Sequence, residues 1–212
     1  MRPKPPRPDS PAAGGSDFDH DPDRPAGLEP VFWRPEVFPG TVILAPAPDG
    51  FEDKSRFALS SVGPLAADRR DGSERHVVLA DPDGDQYVWL SENDTGRGLA
   101  VVLPLDDLSD LRLEAIGRFL RRLRGRPGGP LPTGLQLTPM RRARLIQLLH
   151  ALDFRLTGSG PREIAAALLD KDAARLPAIE WKSSAARRKA NRLIRDALAL
   201  MNGGYRKLLR GE

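Results

Sequence analysis

The sequence predicts an α+β protein, with a small antiparallel sheet and one helix followed by an all-helical, helix-turn-helix-like region. Three observations carry this prediction. Short β-branched runs bounded by Pro and Gly fill residues 31–105. From Asp106 onward, apolar residues recur at three- and four-residue spacing instead. The charge also changes sign: residues 1–110 hold 11 Lys/Arg against 21 Asp/Glu, and residues 111–212 hold 22 against 8. With 212 residues, 40% of them hydrophobic, the chain can build about one to two domains, at roughly 100–200 residues each.

Residues 1–30 read as a disordered Pro-rich tail, too poor in large apolar groups to offset the entropy of ordering. Its Asp17, Asp19, His20, Asp21 and Asp23 form a weak ligand set, better read as a solvated stretch than as a metal site. Within 31–125, Thr41–Ala45 (TVILA) reads as a strand closed by Pro46, and Arg56–Ser60 as a weaker one. His76–Ala80 and Gln86–Leu90 flank Asp81-Pro-Asp-Gly84, so they read as a hairpin. Gly98–Leu103 reads as a further strand stopped by Pro104. Asp106–Leu123 reads as a helix with Leu113, Ile116, Phe119, Leu120 and Leu123 inward. Arg118, Arg121, Arg122 and Arg124 crowd its C-terminal end, where cations suit the dipole.

Residues 126–137 are a Pro/Gly-rich linker, and 138–212 read as helical. Thr138 is a good N-cap and Pro139 a good first helical residue. Leu145, Leu148, Leu149 and Leu152 form the inward stripe of that helix, and Gly158 ends it. A short helix follows from about Pro161 to Leu169 with Ile164, Leu168 and Leu169 inward. An irregular stretch then leads to Trp181. The last long helix spans about 184–201, ended by Gly203 and Gly204, with Ala186, Ala190, Leu193, Ile194, Ala197 and Met201 inward.

The polar edge of that last helix carries the functional prediction. Ser184, Arg187, Arg188, Asn191, Arg192 and Arg195 share one side. Arg pairs bidentately with guanine, Asn with adenine, and a Ser or a helix N-terminus holds phosphate. Base reading is assigned to Ser184, Arg187, Arg188 and Asn191. Phosphate contact is assigned to Lys182, Arg192 and Arg195, with Ser183 beside them. Arg141, Arg142 and Arg144 join from the first helix, and Arg206 and Lys207 are weaker candidates. The competing reading is a core helix with an ordinary solvated basic face. The connector before this helix is longer than the usual three- to four-residue turn, which suggests a variant with an inserted loop.

Other chemistries find little support. Asp81, Asp83, Asp85 and Glu92 match four positions of a calcium loop. Gln86 stands where Gly is needed, however, and strands flank the segment, so a hairpin turn is the better reading. Gly158 and Gly160 read as helix punctuation. No catalytic or metal residue and no cofactor is assigned. The chain has no cysteine, which excludes disulfides and thiolate metal sites and fits a cytoplasmic protein. It shows no secretory signal and no membrane span. Trp89 and Trp181 read as core or interface anchors, and Phe32–Trp33 as the start of the folded region or a partner contact.

Several segments resemble the bacterial RovC-like family. They are Phe32–Val37, Ala45–Phe51, Tyr87–Leu90, Leu137–Pro139, Arg162–Ala165, Trp181–Ser184 and Ala197–Leu209, whose ALMNGGYRKLL is the most specific. The resemblance covers about residues 31–210. It implies a transcription factor with a C-terminal helix-turn-helix DNA-binding domain and no catalytic residues. The name-giving member is oligomeric and regulates type VI secretion genes. Similar proteins on mobile elements control excision and transfer. Many relatives carry a short additional N-terminal domain where this chain has its tail, which leaves open a separate regulatory protein partner.

The expectation is therefore a sequence-specific regulator that binds double-stranded DNA as a homo-oligomer, with the β region and helix 106–124 making self-association or partner contacts. The alternative is an adaptor that binds proteins and not DNA. RNA is disfavoured because no aromatic-lined basic sheet is visible.

Overall fold

The computed structural model describes residues 30–51, 62–92 and 98–212. The expected strand at Arg56–Ser60 and the acidic tail residues lie outside them. The chain divides into two compact units, residues 1–136 together with 206–212, and residues 137–205.

The first unit is a five-stranded sheet: β1 (Thr41–Pro46), β2 (Leu65–Asp71), β3 (Glu74–Leu79), β4 (Gln86–Leu90) and β5 (Leu99–Val102). Their order is β2-β3-β4-β1-β5. The expected hairpin is present, with His76 opposite Trp89 and Val78 opposite Tyr87. Its turn closes through Gly84 N–H donating to Asp81 O, and Gly84 sits at φ +109°, a conformation that favours Gly. The sheet is not purely antiparallel, because β1 pairs β4 in parallel register. The β2–β3–β4 meander returns to β1 in the same direction, and β5 completes the other edge antiparallel. Strand β2 was not expected. Its sequence LAADRRD lacks apolar alternation because it is an exposed edge, where charges block further pairing.

Both faces of the sheet are covered, which explains the continuous apolar run of β1. Val42, Leu44, Val77, Leu79, Val88 and Leu90 meet Ala115 and Phe119 of helix α1 (Ser109–Leu123). On the opposite face Phe32 meets His76 edge-on, and Phe38 meets Tyr87. The inward face of α1 differs from the expected stripe, because Leu113 and Leu123 are exposed while Arg112 and Arg118 are buried. Loop carbonyls supply the acceptors that make this burial tolerable. Arg112 donates to Pro35 O and pairs with Asp106 at 2.8 Å. Arg118 donates to Gly129 O and Gly84 O. Arg121 donates to Gly128 O, and Arg122 to Val62 O. Residues 128–129 are thus tied to α1, and a Cβ on Gly128 would collide with Gln86 and Asp81.

The second unit holds α2 (Pro139–Leu156), α3 (Pro161–Leu168), a 3-10 turn at Lys171–Arg175, α4 (Ala178–Ser183) and α5 (Ala185–Ala199). Thr138 caps α2 by accepting from Arg141 N–H. Gly158, at φ +94°, ends it. Leu148, Ala151, Ile164, Leu193 and Ala197 form the shared core of α2, α3 and α5. Two expected inward residues face solvent instead, Leu149 at 60% and Met201 at 45% exposure. Ala151, not expected inward, is fully buried in that core, where its small side chain lets neighbouring helices approach closely. The stretch expected to be irregular holds the 3-10 turn and α4. After α5 the chain bends at Leu200–Gly204, where Gly203 adopts φ +107°, and continues as α6 (Tyr205–Leu209).

Candidate nucleic-acid interface

Helix α5 is built for two environments. Ala190, Leu193 and Ala197 are buried, with Ala186 and Ile194 packed beside them. At about 100° per residue, Arg188, Asn191, Arg192 and Arg195 fall within an arc of roughly 100° on the far side. All four are exposed. Arg187 sits on one flank and is half-buried, and Lys189 is exposed on the other. The sequence reading passed over Lys189, which belongs to the same basic surface. Arg195 is 3.3 Å from Asp196, so one carboxylate interrupts the cationic face.

The junction between α4 and α5 is a single residue. Ser184 is the C-cap of α4 and the N-cap of α5. Its Oγ accepts from Arg187 N–H at 3.1 Å and donates to Trp181 O at 2.9 Å. The last four carbonyls of α4 lack intrahelical partners, and neighbouring side chains supply each one. Ser183 Oγ donates to Glu180 O, and Ser184 to Trp181 O. Arg187 donates to Lys182 O at 2.9 Å, and Arg188 to Ser183 O at 2.8 Å. The expected readers Ser184, Arg187 and Arg188 therefore also hold α4 onto the start of α5. Lys182 and Ser183 are exposed at the end of α4.

A second contact fixes the other side of α4. The Arg162 guanidinium lies 5.4 Å over the Trp181 ring and donates to Leu176 O. Trp181 in turn packs against buried Ala165, Ala173 and Ala190, which makes it an anchor as expected. The role of Arg162 is invisible without the fold, because Trp181 lies 19 positions away.

The three arginines of α2 separate. Arg144 pairs with Asp196 at 3.1 Å and donates to Gln147, so it joins α2 to α5. Arg141 is half-buried and Arg142 is exposed. Arg206 is half-buried and Lys207 exposed, both among the residues grouped with the first unit. The calcium-like positions serve the hairpin. Asp81 accepts from Asp83 N–H and Gln86 and pairs with Arg122 at 3.3 Å. Among the described residues there is no group of three or more candidate metal ligands, and no helix long and apolar enough to cross a membrane.

Residues 40–101 match a domain of unknown function (DUF7012). None of the curated proteins matches the chain. Residues 102–210 match the family described as a T6SS transcription factor, DNA-binding domain. That match takes in the end of β5, α1 and every helix of the second unit, just over half of the sequence. The basic amphipathic α5 lies inside it, and by this match the chain belongs to that family of DNA-binding transcription-factor domains.

Proposed function

We propose that the protein is a sequence-specific DNA-binding transcriptional regulator whose helix α5 enters the major groove. The observation that carries this reading is the exposed arc of Arg188, Asn191, Arg192 and Arg195, opposite a buried seam, on a helix inside the matched DNA-binding region. Arg187, Arg188 and Asn191 read base edges, with Ser184 at the entering end. Lys182, Ser183, Arg192 and Arg195 lie against phosphates, with Arg141, Arg142 and Arg144 as lesser contacts. Helices α3 and α5 form the helix-turn-helix pair, and the segment 169–184 is its enlarged turn. The protein acts by binding in the cytoplasm, not by catalysis. The resemblance points to secretion or mobile-element transfer genes as its targets. A homo-oligomer would present two copies of α5 to half-sites about one DNA turn apart.

The test begins with random duplex titrated against salt. A protein neutralising phosphates loses affinity steeply and linearly in log–log form. Arg195→Ala should then flatten the slope by about 1 and weaken all sequences alike. Arg188→Ala on a selected operator should relax preference at one position, at roughly 1–3 kcal/mol. A protein without salt-dependent duplex binding is an adaptor, the alternative reading. Uniform loss for Arg188→Ala removes that residue from the base readers.

A further inference from the structure

Helix α2 carries a second pattern, on the flank of the helix beside its core stripe. Arg142, Ile146, Leu149, Asp153 and Leu156 recur at spacings of four, three, four and three. At about 100° per residue they form one narrow stripe, the seam spacing of paired helices. All five are exposed, with Ile146 at 46%, Leu149 at 60% and Leu156 at 66%. Two large apolar side chains thus stand in water between a cation and an anion. Among the described residues, neither charged side chain is engaged in an ion pair.

The order of charges selects the occupant. A two-fold axis between residues 147 and 148 places each residue opposite one whose number sums with it to 295. Arg142 then meets Asp153 of the second copy and Asp153 meets its Arg142. Ile146 meets Leu149, and Leu149 meets Ile146. A parallel pairing would instead set Arg142 on Arg142 and Asp153 on Asp153, which repel. The stripe is therefore self-complementary in the antiparallel sense alone, the property of an isologous interface.

We propose that this α2 stripe is a self-association surface that pairs antiparallel with the same stripe of a second copy of the chain. It is distinct from the β region and α1, to which the sequence reading gave self-association, and it stands whether or not α5 binds DNA. One helix face buries less than the roughly 1,200 Å² of a standard interface, so the dimer is weak and dissociates on dilution. The pairing also gives Arg142 a partner carboxylate in place of a phosphate.

The experiment is sedimentation velocity of the full chain from about 1 to about 100 μM, where mass action governs the dimer fraction. The variants are Arg142→Asp, Asp153→Arg, the double swap and Leu149→Gln. Because the interface is two-fold, each single charge reversal creates two like-charge contacts and should weaken association about tenfold. The double swap should restore it to within about threefold of the parent, since both pairs re-form with sign exchanged. Leu149→Gln, which changes no charge, should weaken it as well. The positions are exposed, and unchanged helical circular dichroism verifies folding. A parent monomeric throughout, or single variants that associate like the parent, would overturn the proposal. So would a double swap as weak as the singles. Random-duplex binding on the same samples separates the assignments of Arg142: if it holds phosphate, Arg142→Asp loses duplex affinity while the sedimentation profile stays unchanged.

Discussion

Asp81→Ala should destabilise the first unit by about 2–3 kcal/mol, more than most single substitutions. The Asp81 carboxylate is only 6% exposed and faces Arg122 at 3.3 Å and Arg118 at 3.8 Å, themselves 10% and 5% exposed in their side chains. It also accepts from Gln86 Nε2 and Asp83 N–H, both at 3.0 Å. Removing one partner of a buried ion pair typically costs about 3–5 kcal/mol, because the remaining charge is left uncompensated. Here both guanidiniums keep carbonyl acceptors on Gly84, Gly129 and Val62, which places the loss at the low end of that range or below it. A loss of that size lowers the midpoint temperature of a unit this small by about 10 °C or more. Urea unfolding in a Trp181→Phe background leaves Trp33 and Trp89, both in the first unit, as reporters. Asp81→Asn keeps an acceptor but not the charge and should fall between parent and Ala. A loss under about 0.5 kcal/mol for Asp81→Ala, typical of an exposed pair, would show that the carbonyls alone hold the arginines.

Two further perturbations address one unit each. Burial lowers the pKa of His76, opposed in part by Glu74 at 3.8 Å. The unfolded chain therefore takes up the proton first, near pH 6.5. The contribution of His76 is complete above that pH and is lost as pH falls below it. His76→Phe should flatten the dependence of the urea midpoint between about pH 5 and 7, and an unchanged slope would assign the dependence elsewhere. In the second unit, Leu193 is 1% exposed within the α2–α3–α5 core. Leu193→Ala should cost about 2–5 kcal/mol, read from loss of helical circular dichroism in urea, and a cost under about 1 kcal/mol would mean that the core tolerates collapse around the site.

The sequence made local features legible and long-range ones illegible. Thr138, Pro139 and Gly158 bounded α2 correctly because capping and left-handed termination are decided by adjacent residues. The Asp81–Gly84 turn was readable for the same reason. The parallel β1–β4 pairing was not, since register between strands more than 40 residues apart leaves no local mark. Periodicity placed α1 but misjudged its face, because it assumes that only apolar groups are buried. The acceptors that let Arg112 and Arg118 go inside belong to Pro35, Gly84 and Gly129. The charge count misled in the same way. Arg112, Arg118, Arg121 and Arg122 contribute to the positive sum of residues 111–212, yet they bond within the first unit instead of forming a free basic surface. Helix α5 was legible because alanines and leucines at core spacing alternate with arginines over four turns. The hold of its first arginines on α4 was not, since it depends on α4 ending one residue earlier.

If α5 reads bases as proposed, that hold links the reading to the integrity of α4. Arg187 and Arg188 supply the acceptors Lys182 O and Ser183 O with their donors, and a guanidinium bonded bidentately to a guanine cannot keep its former geometry. Each abandoned carbonyl forfeits a hydrogen bond with a net value of about 0.5–1.5 kcal/mol, which water partly replaces at this exposed end. The opening of α4 should rise by up to about tenfold for each released guanidinium. In the free protein, Arg188→Ala should therefore speed amide exchange at the end of α4, including the Ser184 amide that donates to Trp181 O, while the core of α5 keeps its protection. In the parent, a selected operator should produce the same acceleration. If Arg192 and Arg195 hold phosphates as proposed, random duplex should not. Unchanged α4 exchange in Arg188→Ala would show that the two backbone contacts carry no energy and that the readers are free to move. Acceleration by random duplex as well would mean that they leave α4 for phosphates and not for bases.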